Sequence, residues 1–188
     1  MDWQDIRGVG RVALNHFSAK EVAAATGLST ELQRVWRRRG HLPSCGEGRA
    51  SFDSNEVATI AVRHDLARFG FAPAETIEIG RLSGPIVLYF ALLTSAGAAN
   101  LRGDLKRVAD ISQRFAQNDV LARIVARVQQ PRRFLCSSHP PELDFVDDAA
   151  GTLSEERFPA MLVLDLAVIG RRLVADNPKP LFLIDVSS

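Results

Sequence analysis

Five arginines crowd one short stretch. Between Gln33 and Arg49 stand Arg34, Arg37, Arg38, Arg39 and Arg49 against a single acid, Glu47. A guanidinium is always charged, and its fork of donors matches phosphate oxygens and the O6/N7 edge of guanine. Trp36 sits among the first four. Just ahead come Ser29, Thr30 and Gln33, whose side chains can hydrogen-bond base edges, glutamine pairing best with adenine. Such a set suits a helix lying in the major groove. Its early residues, Ser29, Thr30, Gln33 and Arg34, would read bases. Arg37 and Arg38 would hold phosphates, which fix register without reading sequence. Arg49 would reach the flanking backbone or minor groove, and Trp36 would pack inward and set the helix angle.

The surrounding punctuation predicts the elements that carry these groups. Ser18 and Glu21 form a Ser-x-x-Glu capping box ahead of "AKEVAAATG", and Gly27 ends that helix. Ser29 can cap a second helix, "TELQRVWRRR", which Gly40 and Pro43 end. Leu32, Val35, Trp36 and Arg39 share one face, with Leu32, Val35 and Trp36 directed to the core. "HLPSCGEGRASF" reads as a loop or tight hairpin. Asp53 or Ser54 caps "NEVATIAVRHDLARF", which Gly70 stops. Pro73 suits the first turn of a short helix, "PAETIEIGRL", and Gly84-Pro85 closes the unit.

From Ser18 to Leu82 the order is helix, tight turn, helix, hairpin, helix, short helix. This resembles the winged helix-turn-helix of the mercury-resistance-regulator (MerR) family over residues 17–83. "FSAKEVAAATGLS" matches the first helix and turn, "WRRRGHLP" the end of the recognition helix, "GRASFDSNEV" the wing, and "LARFGFAPAETIEI" the closing helices. The resemblance implies double-stranded DNA as partner, a role in transcription regulation, and action as a homodimer. The domain type also resembles excisionases and the DNA-binding subunit of phage terminases. A phage or mobile-element factor is therefore the alternative, and a protein-interaction module without specific DNA binding is another.

The rest of the chain reads as two further units. Residues 85–130 are expected to be helical, with an apolar stripe through Leu105, Val108, Ile111 and Phe115 continued by Leu121, Ile124, Val125 and Val128. They are expected to link or dimerise. From Pro131 the chain turns β-prone: "RRFLCSS", "ELDFVDD", "AMLVLDL" and "PLFLIDV" read as strands, with "AVIGRRLVAD" as a helix. One helix through "FPAMLVLDLAVIGRRLVAD" is the other reading. Residues 131–188 are expected to form a small α/β module that takes a small ligand, binds a protein or adds oligomer contacts. The expected class is mainly α: a winged helix-turn-helix at 1–84, central helices at 85–130, and this module.

The bulk numbers fit a globular chain. It has 188 residues, 46% hydrophobic and 24% charged, with a formal net charge of +1. The DNA reading thus rests on where charge sits, not on its total. Two cysteines make no disulfide framework. "CSSH" from Cys136 to His139 offers two metal ligands where structural zinc takes about four, so no metal site and no cofactor are expected. No Ser-His-Asp order, phosphate loop or HExxH motif appears, and no enzyme activity is expected. The apolar run "PIVLYFALLTSAGAA" is short for a membrane span, which takes about 20 residues. A cytoplasmic protein without a membrane segment is the expectation.

Overall fold

The structure is a computed structural model and describes residues 2–43, 50–114, 121, 124–125, 131–139, 142–154 and 161–186. The chain opens on strands, β1 (Gln4–Ile6) and β2 (Gly10–Leu14), paired as a hairpin. Gly10 lets the chain at Asp185 and Val186 come close to β2. Its φ is +122, and a Cβ there would lie 2.3 Å from the Asp185 carbonyl oxygen. Next come β3 (His16–Ser18), α1 (Ala19–Thr26), α2 (Thr30–Arg38), β4 (Ser51–Asp53) and α3 (Ser54–Arg68). The long α4 (Thr76–Thr94) leads through a 3-10 turn (Ala96–Ala98) to β5 (Ala99–Arg102) and α5 (Leu105–Arg114). The last part holds β6 (Phe134–His139), β7 (Glu142–Val146), α6 (Ala149–Ser154), β8 (Leu162–Asp165), α7 (Leu166–Asp176) and β9 (Phe182–Asp185).

The expected mainly α class is corrected. The described residues hold nine strands in three small sheets beside the helices, a mixed α/β chain whose N-terminus starts with strands rather than a helical helix-turn-helix domain. The four-stranded sheet runs β1-β2-β9-β5, β9 being antiparallel to β2 and parallel to β5. β3 and β4 form a two-stranded ribbon, and β7-β6-β8 a third sheet. Strands fall on "FLCSSH", "ELDFV", "LVLD" and "FLID", and a helix on "LAVIGRRLVAD". These do not close on themselves. β9 leaves β6, β7 and β8 and enters the sheet begun by the first residues. One sheet therefore joins residues from each of the three expected units.

Gly84-Pro85 does not end a unit either, because α4 runs through it. The small residues there serve close packing instead. A Cβ at Gly84 would sit 2.5 Å from Thr59 Oγ1, and one at Gly80 2.5 Å from Arg63 Cγ. Those gaps let α4 lie against α3. On its other side Gly170 of α7 approaches so closely that a Cβ would be 2.7 Å from the Val87 carbonyl oxygen. α4 is long and apolar enough to cross a membrane by length and composition, with mean hydropathy 1.4, yet half of that window is buried within the fold. Ile60, Leu66, Leu88, Leu166, Leu173, Phe182 and Ile184 are fully buried, so helices and main sheet share one core. Asp65 of α3, itself buried, takes Arg172 of α7 at 2.7 Å.

Candidate nucleic-acid interface

The α1–α2 pair is held by local chemistry. The Ser18 hydroxyl accepts from Glu21 N–H, and Glu21 Oε2 accepts from Ser18 N–H at 2.7 Å. Gly27, at φ +77, ends α1, and the His64 Nδ1–H donates to the Thr26 carbonyl at 3.0 Å. The Ser29 hydroxyl accepts from Leu32 N–H and caps α2. Gln33 turns inward and is fully buried. Its amide donates to the carbonyls of Ala19 and Leu28, both at 2.9 Å. One side chain thus ties the start of α1 and the turn to α2.

A buried arginine fixes the far end of α2. Arg63 of α3 is 3% exposed and stacks over the Trp36 ring at 5.0 Å. It donates to the His41 carbonyl at 2.6 Å, the Pro73 carbonyl at 3.0 Å and Thr76 Oγ1 at 3.3 Å. Burial pulls its guanidinium below the usual arginine range. Three hydrogen bonds and the ring compensate the desolvated charge.

The β3–β4 ribbon lies beside α2. Phe17 pairs with Phe52 across it, and both are buried. Arg37 leans on this ribbon: its guanidinium lies over Phe52 at 5.5 Å, and Nε donates to the Pro43 carbonyl at 3.1 Å. The base of the ribbon is tied to the segment before β9. Asn15 donates to the Pro180 carbonyl at 3.0 Å, Ser54 donates to the Leu181 carbonyl, and Lys179 meets Glu21 at 2.9 Å while lying over Phe17. The Ser18 backbone N–H, then Lys179, hold the Glu21 carboxyl below its usual 4.5.

What remains on α2 points outward. Glu31, Arg34 and Arg38 are exposed and Val35 half-buried, at i, i+3, i+7 and i+4 spacing opposite Gln33 and Trp36. Arg39 is exposed at the helix end. Among the described residues Glu31, Arg34, Arg38 and Arg39 have no side-chain hydrogen bond or ion pair. Among the described residues this is a narrow cationic face without ion-pair partners, with one carboxylate in it.

The residues singled out from sequence therefore part company. Arg34 and Arg38 lie on the open face. Ser29 is exposed but its hydroxyl is committed to the cap, and Thr30 is half-buried. Gln33 is a clamp and cannot reach a base. Arg37 braces the ribbon. Arg49, like Cys45, lies outside the described residues. Leu32, expected in the core, is 37% exposed, whereas Trp36 is buried as expected. Arg63 was missed. Its signal was present: it stands three residues after Ile60 and three before Leu66, inside an apolar stripe. Cys136 is buried in β6, and burial, then Asp144, push its thiol above 9.0, which does not favour a ligand thiolate. No family model matches the chain, and no curated protein matches it either.

Proposed function

We propose that this protein binds double-stranded DNA through the outward face of α2 and regulates transcription as a cytoplasmic homodimer. The observation that carries the reading is the set of guanidiniums without partners among the described residues, Arg34, Arg38 and Arg39, on a helix whose opposite side is clamped by Gln33 and Arg63. A charge array that a fold leaves unneutralised on a rigid, capped helix is poised for a polyanion. Arg34, in the early part of α2, enters the groove and takes guanine O6/N7. Arg38 and Arg39, nearer its end, hold phosphates. Arg37 contributes by keeping the ribbon against the helix. The resemblance of residues 17–83 to mercury-resistance regulators supports the regulatory role and the pairing of two copies on two half-sites.

Genome-wide capture of bound DNA in the source cell, with an Arg34→Ala, Arg38→Ala double variant alongside, tests the role. Sharp peaks at promoters that vanish in the variant support a regulator. Peaks confined to a mobile-element junction replace it with a recombination or packaging role. No peaks above the variant's background overturn the DNA reading.

A further inference from the structure

The outward face of α2 is not purely cationic. Glu31 stands at its centre, one turn before Arg34 and Val35, exposed and with no partner among the described residues. A carboxylate there is repelled by phosphates, so a face that served only as a backbone clamp would exclude it. Its chemistry is that of an acceptor without donors. In the major groove guanine offers only the acceptors N7 and O6, and thymine offers the acceptor O4. Adenine sets its N6 donor beside the N7 acceptor. Cytosine N4 is the amino donor free of a neighbouring acceptor on its own base.

Resting on the DNA reading above, we infer that Glu31 and Arg34 act together as readers of G·C pairs, and that Val35 packs on the methyl of a neighbouring thymine. Arg34 takes guanine O6 and N7, and Glu31 accepts from cytosine N4. Residues three apart on a helix have Cβ atoms about 5–6 Å apart. Base pairs rise by about 3.4 Å. That spacing exceeds one rise, so the two side chains fall on adjacent pairs. Glu31 also works by rejection, since thymine or guanine at its position would set acceptor against carboxylate. Val35 lies beside Glu31 on the wheel and is the apolar member of the face, the type that matches a thymine methyl. Gln33 and Arg63 give this reading its rigidity, because they fix the helix from the other side.

The experiment is selection of bound duplexes from a randomised pool by the full chain, at low salt, for the wild type, Glu31→Gln, and Arg34→Ala. The wild type is expected to enrich a motif with a cytosine column and a guanine column on adjacent pairs. Glu31→Gln should turn the cytosine column alone to adenine, because glutamine pairs bidentately with adenine. Arg34→Ala should flatten the guanine column alone. Each preferred base should be favoured by roughly tenfold or more. Uracil in place of the neighbouring thymine should weaken wild-type binding and leave Val35→Ala indifferent. An unchanged motif in Glu31→Gln overturns this inference while leaving DNA binding intact, as does a bound pool with no base preference. Failure of the wild type to retain any duplex overturns both.

Discussion

Glu56 shows how a single side chain links cap, ribbon and pH. It closes the α3 capping box, Oε2 accepting from Asp53 N–H at 2.8 Å. Burial pushes its carboxyl above the usual 4.5, and the Asp53 N–H only partly offsets this. The charged form is therefore the costlier one in the folded chain. As pH rises, the folded chain keeps this proton longer than the unfolded chain does. Stability from this residue is full below 4.5 and declines as pH climbs through the folded value. Glu56→Gln keeps an oxygen for the cap and has nothing to titrate. Thermal melts of the two proteins should diverge in the variant's favour as pH rises above 4.5. A difference that stays constant as pH rises contradicts the assignment. At this scale the sequence was only partly legible. Ser18 and Ser29 announced themselves as caps because capping depends on local spacing, and Asp53 was one of two candidates, Asp53 or Ser54, for α3. Gln33 and Arg63 did not, because both satisfy their donors on carbonyls made available by other elements.

The helices were visible where punctuation and periodicity agree, as in α1, α2 and α3. They misled where glycine and proline serve packing. Gly84 and Pro85 look like a stop, yet α4 runs through them, and at Gly84 the neighbouring Thr59 of α3 occupies the space a side chain would need. Pro85 has no N–H for the Arg81 carbonyl, so this turn of the helix lacks one bond. Pro85→Ala restores the donor without adding volume. It should raise stability by about 1–3 kcal/mol in denaturant titration. A loss of stability would mean that the ring makes packing contacts worth more than the bond. The strands near the C-terminus were readable from their β-prone runs. Their pairing was not, since register between the first and last strands lies in no local pattern.

Across the whole molecule, the sheet decides what can fold alone. β9 is an interior strand bonded on both sides, by β2 and β5, and α7 packs on α4. A fragment of residues 1–84 would lose β9, the second half of α4 and the segment that ties Lys179 to Glu21. It should show no cooperative unfolding transition in thermal melts, whereas the intact chain should. A sharp transition in the fragment would restore the N-terminal unit as an independent domain. The same connectivity places the α2 face on a scaffold drawn from both ends of the chain. The charge of that face is the central claim, and salt tests it most directly. DNA affinity should fall linearly on a log–log plot against salt, because each neutralised phosphate releases counterions. The measurement is anisotropy of a labelled mixed-sequence duplex over a salt series, for the wild type and for Arg38→Ala, Arg39→Ala. The account predicts a slope shallower by about 2 in the variant, roughly one per phosphate contact removed. Equal slopes, or binding indifferent to salt, would contradict it.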